Sequence, residues 1–295
     1  MPTVRKLNPP TSTAKPVTGG SILGRIKPVK QVDSGGIKVS LYGRAKTGKT
    51  RLISTFPKPI LILGGEDGTR SIRTVEDVYF TRIVSRRTPK ESLLDENGEM
   101  NAIYLDELSA LLKELPRSEY KTVGLDTASA LSDVILADLM GVVEIPAQNS
   151  WGMASREQYG QQSLQLKTIL RALLNLPQNV VITAHERNFN EEGGTDLIAP
   201  TVGSALSPSV SGWLNGACEY ICQTFIREKF VMNSRTLNGK EVKTKQKLEG
   251  VDYCLRVGPH PVYMTGFRLP PGQELPELIE DPHYDKLMQL ISPEK

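Results

Sequence analysis

The sequence predicts a doubly wound α/β fold: a mostly parallel sheet with helices on both faces and a β-rich C-terminal extension. Three observations carry this. Between residues 37 and 185 there are short runs that are apolar at nearly every position, the signature of strands buried on both faces. The segments between them repeat leucine at helical spacing. The first apolar run ends in a glycine-rich turn whose spacing suits phosphate binding. The chain has 295 residues, 39% hydrophobic and 23% charged, which suits one large globular domain or two small ones.

The elements follow in order. Residues 1–36 carry five prolines, five glycines and a net charge of +5, so a disordered basic tail is expected there. The remaining chain is then close to neutral at −2, which excludes a broadly basic nucleic-acid-binding surface and leaves only local patches. IKVSLYG alternates and opens the ordered domain at 37–295, and a helix is expected over 49–56. ILILGGEDG, TVGLDT (122–127) and NVVITAH (179–185) read as further buried strands. AIYLDELSALLKEL (102–115) reads as a helix with Leu105, Leu108, Leu111, Leu112 and Leu115 on one face. SREQYGQQSLQLKTILRALLNL (155–176) reads likewise, with Leu164, Leu166, Ile169, Leu170, Leu173 and Leu174 inward. EYICQTFIREKFVM, VDYCLRV and VYMTGFRL read as consecutive strands, with a hairpin over about 230–257 turning at Asn238-Gly239. A last helix is expected over 283–292.

Gly43-Arg44-Ala45-Lys46-Thr47-Gly48-Lys49-Thr50 fits G-x-x-x-x-G-K-[ST] without a gap. A loop of this length turns successive backbone N–H groups onto one anion, and its glycines allow the dihedrals that requires. Lys49 opens the next helix and is expected to reach the β- and γ-phosphates of ATP, the Thr50 hydroxyl to bind Mg²⁺, and Arg51 to complete the nucleotide-binding segment 43–51. A metal at such a loop needs a carboxylate. Asp126, at the carboxyl end of TVGL, is the candidate, with Asp133 and Asp138 on the following helix as alternatives. Asp126 also suits a helix N-cap, a task that Thr127 or Ser129 can fill instead. Glu66 ends the second strand and is the candidate for orienting the attacking water, with Asp67 beside it. His185 ends the fourth strand on the same sheet edge and is read as a γ-phosphate sensor. The loop after it, 186–208, is long, polar and glycine-rich.

IKVSLYGRAKTGKT, ILILGGEDG, TVGLDT, the segment SWGMASREQYG with LLNLPQNVVITAHE, and the ending LPPGQELPELIEDPHYDKLMQLI together resemble the phage-encoded RecA-like P-loop ATPases. Some of that family act as single-strand annealing recombination proteins. The resemblance covers about 37–292 and implies a single RecA-like ATPase core that oligomerises, with ATP and Mg²⁺ near subunit boundaries. It implies the same roles for Lys49, Thr50, Asp126, Glu66 and His185. It also implies that Arg268 acts on a neighbouring subunit's ATP, although the family's Lys-x-Arg is Gly266-Phe267-Arg268 here. The partners implied are single-stranded DNA, further copies of the chain and a phage single-strand binding protein, in the cytoplasm of an infected host.

Arg235, Lys240, Lys243, Lys245 and Lys247 form a local basic cluster on the expected hairpin. Two readings stay open: cations tracking a DNA backbone, or edge-strand lysines that oppose aggregation. Arg82, Arg86, Arg87 and Lys90 form a second patch in an expected loop. Cys218, Cys222, Cys254 and His260 invite a zinc reading, but their apolar flanks favour packing. Three cysteines, no apolar leader segment and no run of about 18 apolar residues predict a reducing, membrane-free setting. The function expected is a Mg²⁺-dependent, DNA-stimulated ATPase of phage recombination or replication. The alternatives are a DNA-independent ATP-gated loader or scaffold, and a small-molecule phosphotransferase.

Overall fold

The computed structural model describes residues 35–66, 68–145, 154–189, 201–237, 240–269 and 272–292, with side chains for all of these except 230–249. The expected tail falls outside the described residues apart from Gly35 and Gly36. So do Asp67, Trp151 and the Asn238-Gly239 turn.

The sheet is built around β1 (Lys38–Gly43), which lies parallel to β6 (Asn179–Phe189) on one side and to β8 (Tyr220–Leu237) on the other. Beyond β6 come β5 (Thr122–Asp126), β2 (Ile60–Gly64), β3 (Val78–Val84) and β4 (Ala102–Tyr104), all parallel. Beyond β8 the direction reverses: β9 (Lys240–Arg256) and β11 (Leu278–Glu280) each pair antiparallel with their neighbour. Among the described residues the sheet has 11 strands in the order β11-β9-β8-β1-β6-β5-β2-β3-β4. The short β7 (Thr201–Ser204) pairs with β6, and β10 (Gly266–Phe267) pairs with β8.

Alternation along the strands explains why helices cover both faces. Leu61, Leu63, Val180 and Ile182 pack into a core formed with α2 (Leu108–Glu114), α3 (Ala128–Met140), α4 (Arg156–Leu174) and α5 (Pro208–Ala217). Ile60, Ile62 and Val181 belong to a second core on α1 (Lys49–Ile53) and α6 (Tyr284–Ile291). Every residue of β2 is buried, and each such Leu or Ile contributes about 1.5–3 kcal/mol of transfer free energy. The α3 start is capped by the Thr127 hydroxyl, which accepts from the Ala130 N–H. That leaves the carboxylate of Asp126 free for other work. A reciprocal Ser155/Gln158 capping box opens α4.

Four expectations are corrected. The segment 102–115 begins as strand, because Ala102, Ile103 and Tyr104 pair with β3, and the helix starts only at Leu108. Arg82 lies on β3, which the sequence reading had left in a loop. Leu164 is 68% exposed, since it sits two residues, about 200° of helix, from the buried Leu166. VYMTGFRL contributes only the two-residue β10, and the end of β6 and the whole of β7 fall within the segment 186–208 that was expected as a loop. The overall architecture is the expected doubly wound α/β fold, a mostly parallel sheet with helices on both faces and the antiparallel strands as its β-rich C-terminal extension.

Candidate functional site

β1 ends at Gly43, and the loop to Lys49 crosses the carboxyl edge of the sheet at the point where the chain leaves the sheet centre for its flanks. That is where open α/β sheets bind ligands. Gly48 has φ +91°, a left-handed conformation that L side chains rarely adopt. Gly43 is required for another reason: a Cβ there would lie 2.2 Å from the Thr224 Oγ1 on β8. The Thr47 and Thr224 hydroxyls are 2.7 Å apart, and Thr47 also donates to the Arg44 carbonyl at 2.8 Å, so the loop is pinned to its neighbouring strand. Since α1 has only five residues, anion binding here rests on the loop N–H groups and Lys49 more than on a helix dipole.

Lys49 is buried, and its Nζ donates to the carbonyls of Gly43 at 2.9 Å and Arg44 at 2.7 Å. Burial pushes its pKa below the ordinary lysine value, against the pull of the Asp126, Glu66 and Glu186 carboxylates. A desolvated ammonium bound to its own loop is preset to exchange those carbonyls for phosphate oxygens. Ala45 and Lys46 form the crown of the loop, with Lys46 at φ +64°.

Three other strand ends meet this loop. Asp126, only 8% exposed, closes β5, and its Oδ2 accepts from the Thr50 hydroxyl at 2.5 Å. Its Oδ1 accepts from the Thr183 hydroxyl of β6 at 2.6 Å. His185 stands beside Gly43 in the β1–β6 register, and its N–H donates to the Ser129 hydroxyl at 3.1 Å. The His185 Nε2 lies 3.3 Å from the Oε1 of Glu66, which follows β2. Glu66 and His185 are 53% and 39% exposed, open to a ligand, whereas Asp126 is enclosed. Thr50 and Asp126 present hard oxygen donors within reach of one another, a donor set that fits Mg²⁺. They would hold the ion, and when bound it neutralises phosphate charge.

The alternative carboxylates are placed differently. Asp138 is taken up by Arg86, whose Nη2 donates to its Oδ2 at 2.7 Å and whose Nε donates at 3.0 Å. Burial works against that charge, yet the Arg86 hydrogen bonds keep the Asp138 carboxyl below its ordinary value. Asp133 lines a cleft of about 630 Å³ that runs from Glu66 between β3 and α3.

Arg268 is not part of the group. Its N–H donates to the Glu219 carbonyl and its guanidinium to the Gly216 carbonyl, at the start of β8. Since β8 runs parallel to β1, that is the sheet edge opposite the loop, so Arg268 cannot serve this chain's own site. Lys243, Lys245 and Lys247 stand opposite Ser234, Met232 and Phe230 in the β8–β9 hairpin, and Arg235 and Lys240 lie next to its turn. The side chains of this cluster lie outside the described residues. Cys218, Cys222 and Cys254 are buried free thiols, Cys218 pushed by burial to about 12. The His260 Nδ1 accepts from the N–H groups of Val262 and Tyr263, so the ring closes a turn.

Thr183 and Glu186 escaped sequence reasoning. Glu186 accepts from the Arg44 Nε at 3.3 Å and from the Gln223 amide at 2.8 Å, tying the loop crown to β8. The spacing T-x-H puts Thr183 on the same strand face as His185, since alternate positions share a face, whereas Glu186 falls on the other face and has no such signal.

Comparison with known proteins bears on this arrangement. A search of the curated proteins finds no match. Among solved structures, a KaiC-like protein from the hyperthermophilic archaeon Pyrococcus horikoshii OT3 aligns with 75% of this chain and 78% of its own, at 12% identity and a TM-score of 0.33. The family model described as an AAA domain matches residues 35–252, which span the phosphate loop, Glu66, Asp126, His185 and most of the hairpin. That match covers more than half of the chain and includes its phosphate loop, and the chain belongs to the AAA domain family.

Proposed function

We propose that this protein binds ATP with Mg²⁺ and hydrolyses it, and that it does so as an oligomer on single-stranded DNA in phage recombination or replication. One observation carries the ATPase part: the ends of β1, β2, β5 and β6 bring Lys49, Thr50, Glu66, Asp126 and His185 to one edge. In this reading the loop N–H groups and Lys49 hold the phosphates. Glu66 orients water in line with the γ-phosphate, and His185 reports that phosphate's presence. Arg268 would act on the ATP of a second copy. The basic hairpin supports the DNA part, since β8 continues past its last pairing with β1 and carries the cluster outward.

The test is ATPase activity and particle size measured together, with and without single-stranded DNA. Lys49→Ala is expected to lose nucleotide binding. Glu66→Gln is expected to bind ATP and to lose about 10²–10⁴-fold in turnover. Normal hydrolysis by Glu66→Gln would remove Glu66 from its role, and a rate indifferent to DNA would favour the loader or scaffold reading. A second reading, phosphoryl transfer to a small acceptor, is favoured by the cleft beside Glu66. It predicts a phosphorylated product rather than free phosphate.

A further inference from the structure

The strand order gives a bound triphosphate a direction. Reading across the sheet, the loop stands on β1, while Asp126, Glu66 and His185 stand on β5, β2 and β6, all to one side. A γ-phosphate among those groups points the nucleoside to the other side, toward β8 and β9. On that flank the loop and the C-terminal segment close on a slot of about 10 Å³, walled by Thr47, Gly48, Arg51, Tyr253, Asp281 and Pro282, which admits a base only when the Arg51–Asp281 pair opens.

Its chemistry is that of a base platform. The Tyr253 ring lies so close to the loop that a Cβ on Gly48 would be 3.1 Å from its Cδ1. The Arg51 guanidinium lies over that ring, 5.5 Å from the centroid, and pairs with the Asp281 carboxylate at 3.2 Å. The Asp281 N–H donates to the Tyr253 carbonyl at 2.8 Å, which fixes the carboxylate's position next to the ring. Both charged side chains are more than half exposed, so opening their pair costs little. An aromatic face and a guanidinium stack on any nucleobase. A carboxylate accepts hydrogen bonds from an exocyclic amine and repels the carbonyl edge of uracil.

We propose that Tyr253, Arg51 and Asp281 form the nucleobase seat of this protein, and that it selects nucleotides whose base carries an exocyclic amino group over those that present a carbonyl there. The inference rests on the triphosphate reading of the loop and adds the base specificity of the same site.

Titration calorimetry with Mg-ATP, Mg-UTP and Mg-tripolyphosphate tests it, because tripolyphosphate has the phosphates and no base. Wild-type protein is expected to bind ATP more tightly than UTP and tripolyphosphate. Tyr253→Ala is expected to lose about tenfold in ATP affinity and nothing in tripolyphosphate affinity. Retained tripolyphosphate binding also shows that the variant is folded. Asp281→Asn is expected to narrow the preference for ATP over UTP. Unchanged ATP affinity in Tyr253→Ala, or equal losses for ATP and tripolyphosphate, would overturn the seat, the latter marking the ring as a support for the loop. Wild-type protein that binds neither ligand would overturn the triphosphate reading, and the seat with it.

Discussion

Thr183 shows how much at this site depends on a single hydroxyl. It is fully buried, and its hydroxyl donates its one proton to the Asp126 carboxylate at 2.6 Å, with the Leu125 carbonyl 3.1 Å from the same oxygen. With one oxygen of Asp126 held this way, the other faces Thr50. Thr183→Val preserves shape and removes the donor. The expected result is a several-fold rise in the Mg²⁺ concentration needed for half-maximal ATPase activity, restored by Thr183→Ser. An unchanged metal requirement in the valine variant would leave Thr183 as packing only. Lys49 carries a pH prediction. Burial lowers its pKa from the ordinary 10.5, and a bound triphosphate raises it again. Triphosphate binding should therefore take up protons in the alkaline range below 10.5, and affinity should fall as pH rises through the lowered value. Calorimetry in buffers of different ionisation enthalpy, at about pH 7 and about pH 9.5, reads that uptake directly. Larger uptake at the higher pH is the expected pattern. The meeting of Lys49, Thr50 and Asp126 was legible in the sequence because the motif spacing places the first two and the end of an apolar strand places the third. Thr183 was not, because a threonine inside an apolar run looks like any β-former until its neighbour across the sheet is known.

At the scale of elements, α3 and β3 are joined by an ion pair that the sequence did not announce. Arg86, just after β3, grips Asp138 on α3 with two donors, and its backbone N–H donates to the same carboxylate at 3.0 Å. Asp138 is 3% exposed and Arg86 55%, so the pair is worth less than a fully buried one. Arg86→Ala should cost about 1–2 kcal/mol of stability at neutral pH, read by urea denaturation. The Asp138 carboxyl is held below its ordinary value of 3.8, so the pair contributes fully above that value and is lost as pH falls through the lowered one. The gap between wild type and Arg86→Ala should close in acid. Strands of the parallel core were legible because both faces are buried and every position is apolar. β3 was not, because neither of its faces is fully covered: Tyr79 and Arg82, on opposite faces, are both exposed. The short β4 was hidden for a different reason: Ala102–Tyr104 runs directly into a leucine-rich helix, and only pairing with β3 separates the two.

Within Gly35–Lys295 the sheet carries an arm. β8 leaves its pairing with β1 at Thr224 and continues to Leu237, about 40 Å further if extended. The arm projects beyond the carboxyl edge, the edge that carries the phosphate loop. Replacing Lys243, Lys245 and Lys247 with alanine should leave ATP binding unchanged and weaken single-stranded DNA binding. The salt dependence should fall by up to about 2 in log–log slope if each lysine meets a phosphate. An unaltered slope, with aggregation of the variant, would instead assign the lysines to protecting a strand edge.

The sequence alone determined the class of fold, the phosphate loop and the identity of its carboxylate and histidine neighbours. Each of these depends on short-range spacing: alternation in a strand, leucines along a helix, glycines in a turn. Tertiary structure alone decided which strands stand beside β1, and so which side of the loop faces acid groups and which faces Tyr253. It also placed Arg268 at the far edge and closed Asp138 onto Arg86. Those outcomes depend on strand order and register, and pairings between residues more than a hundred positions apart leave no local pattern in the chain.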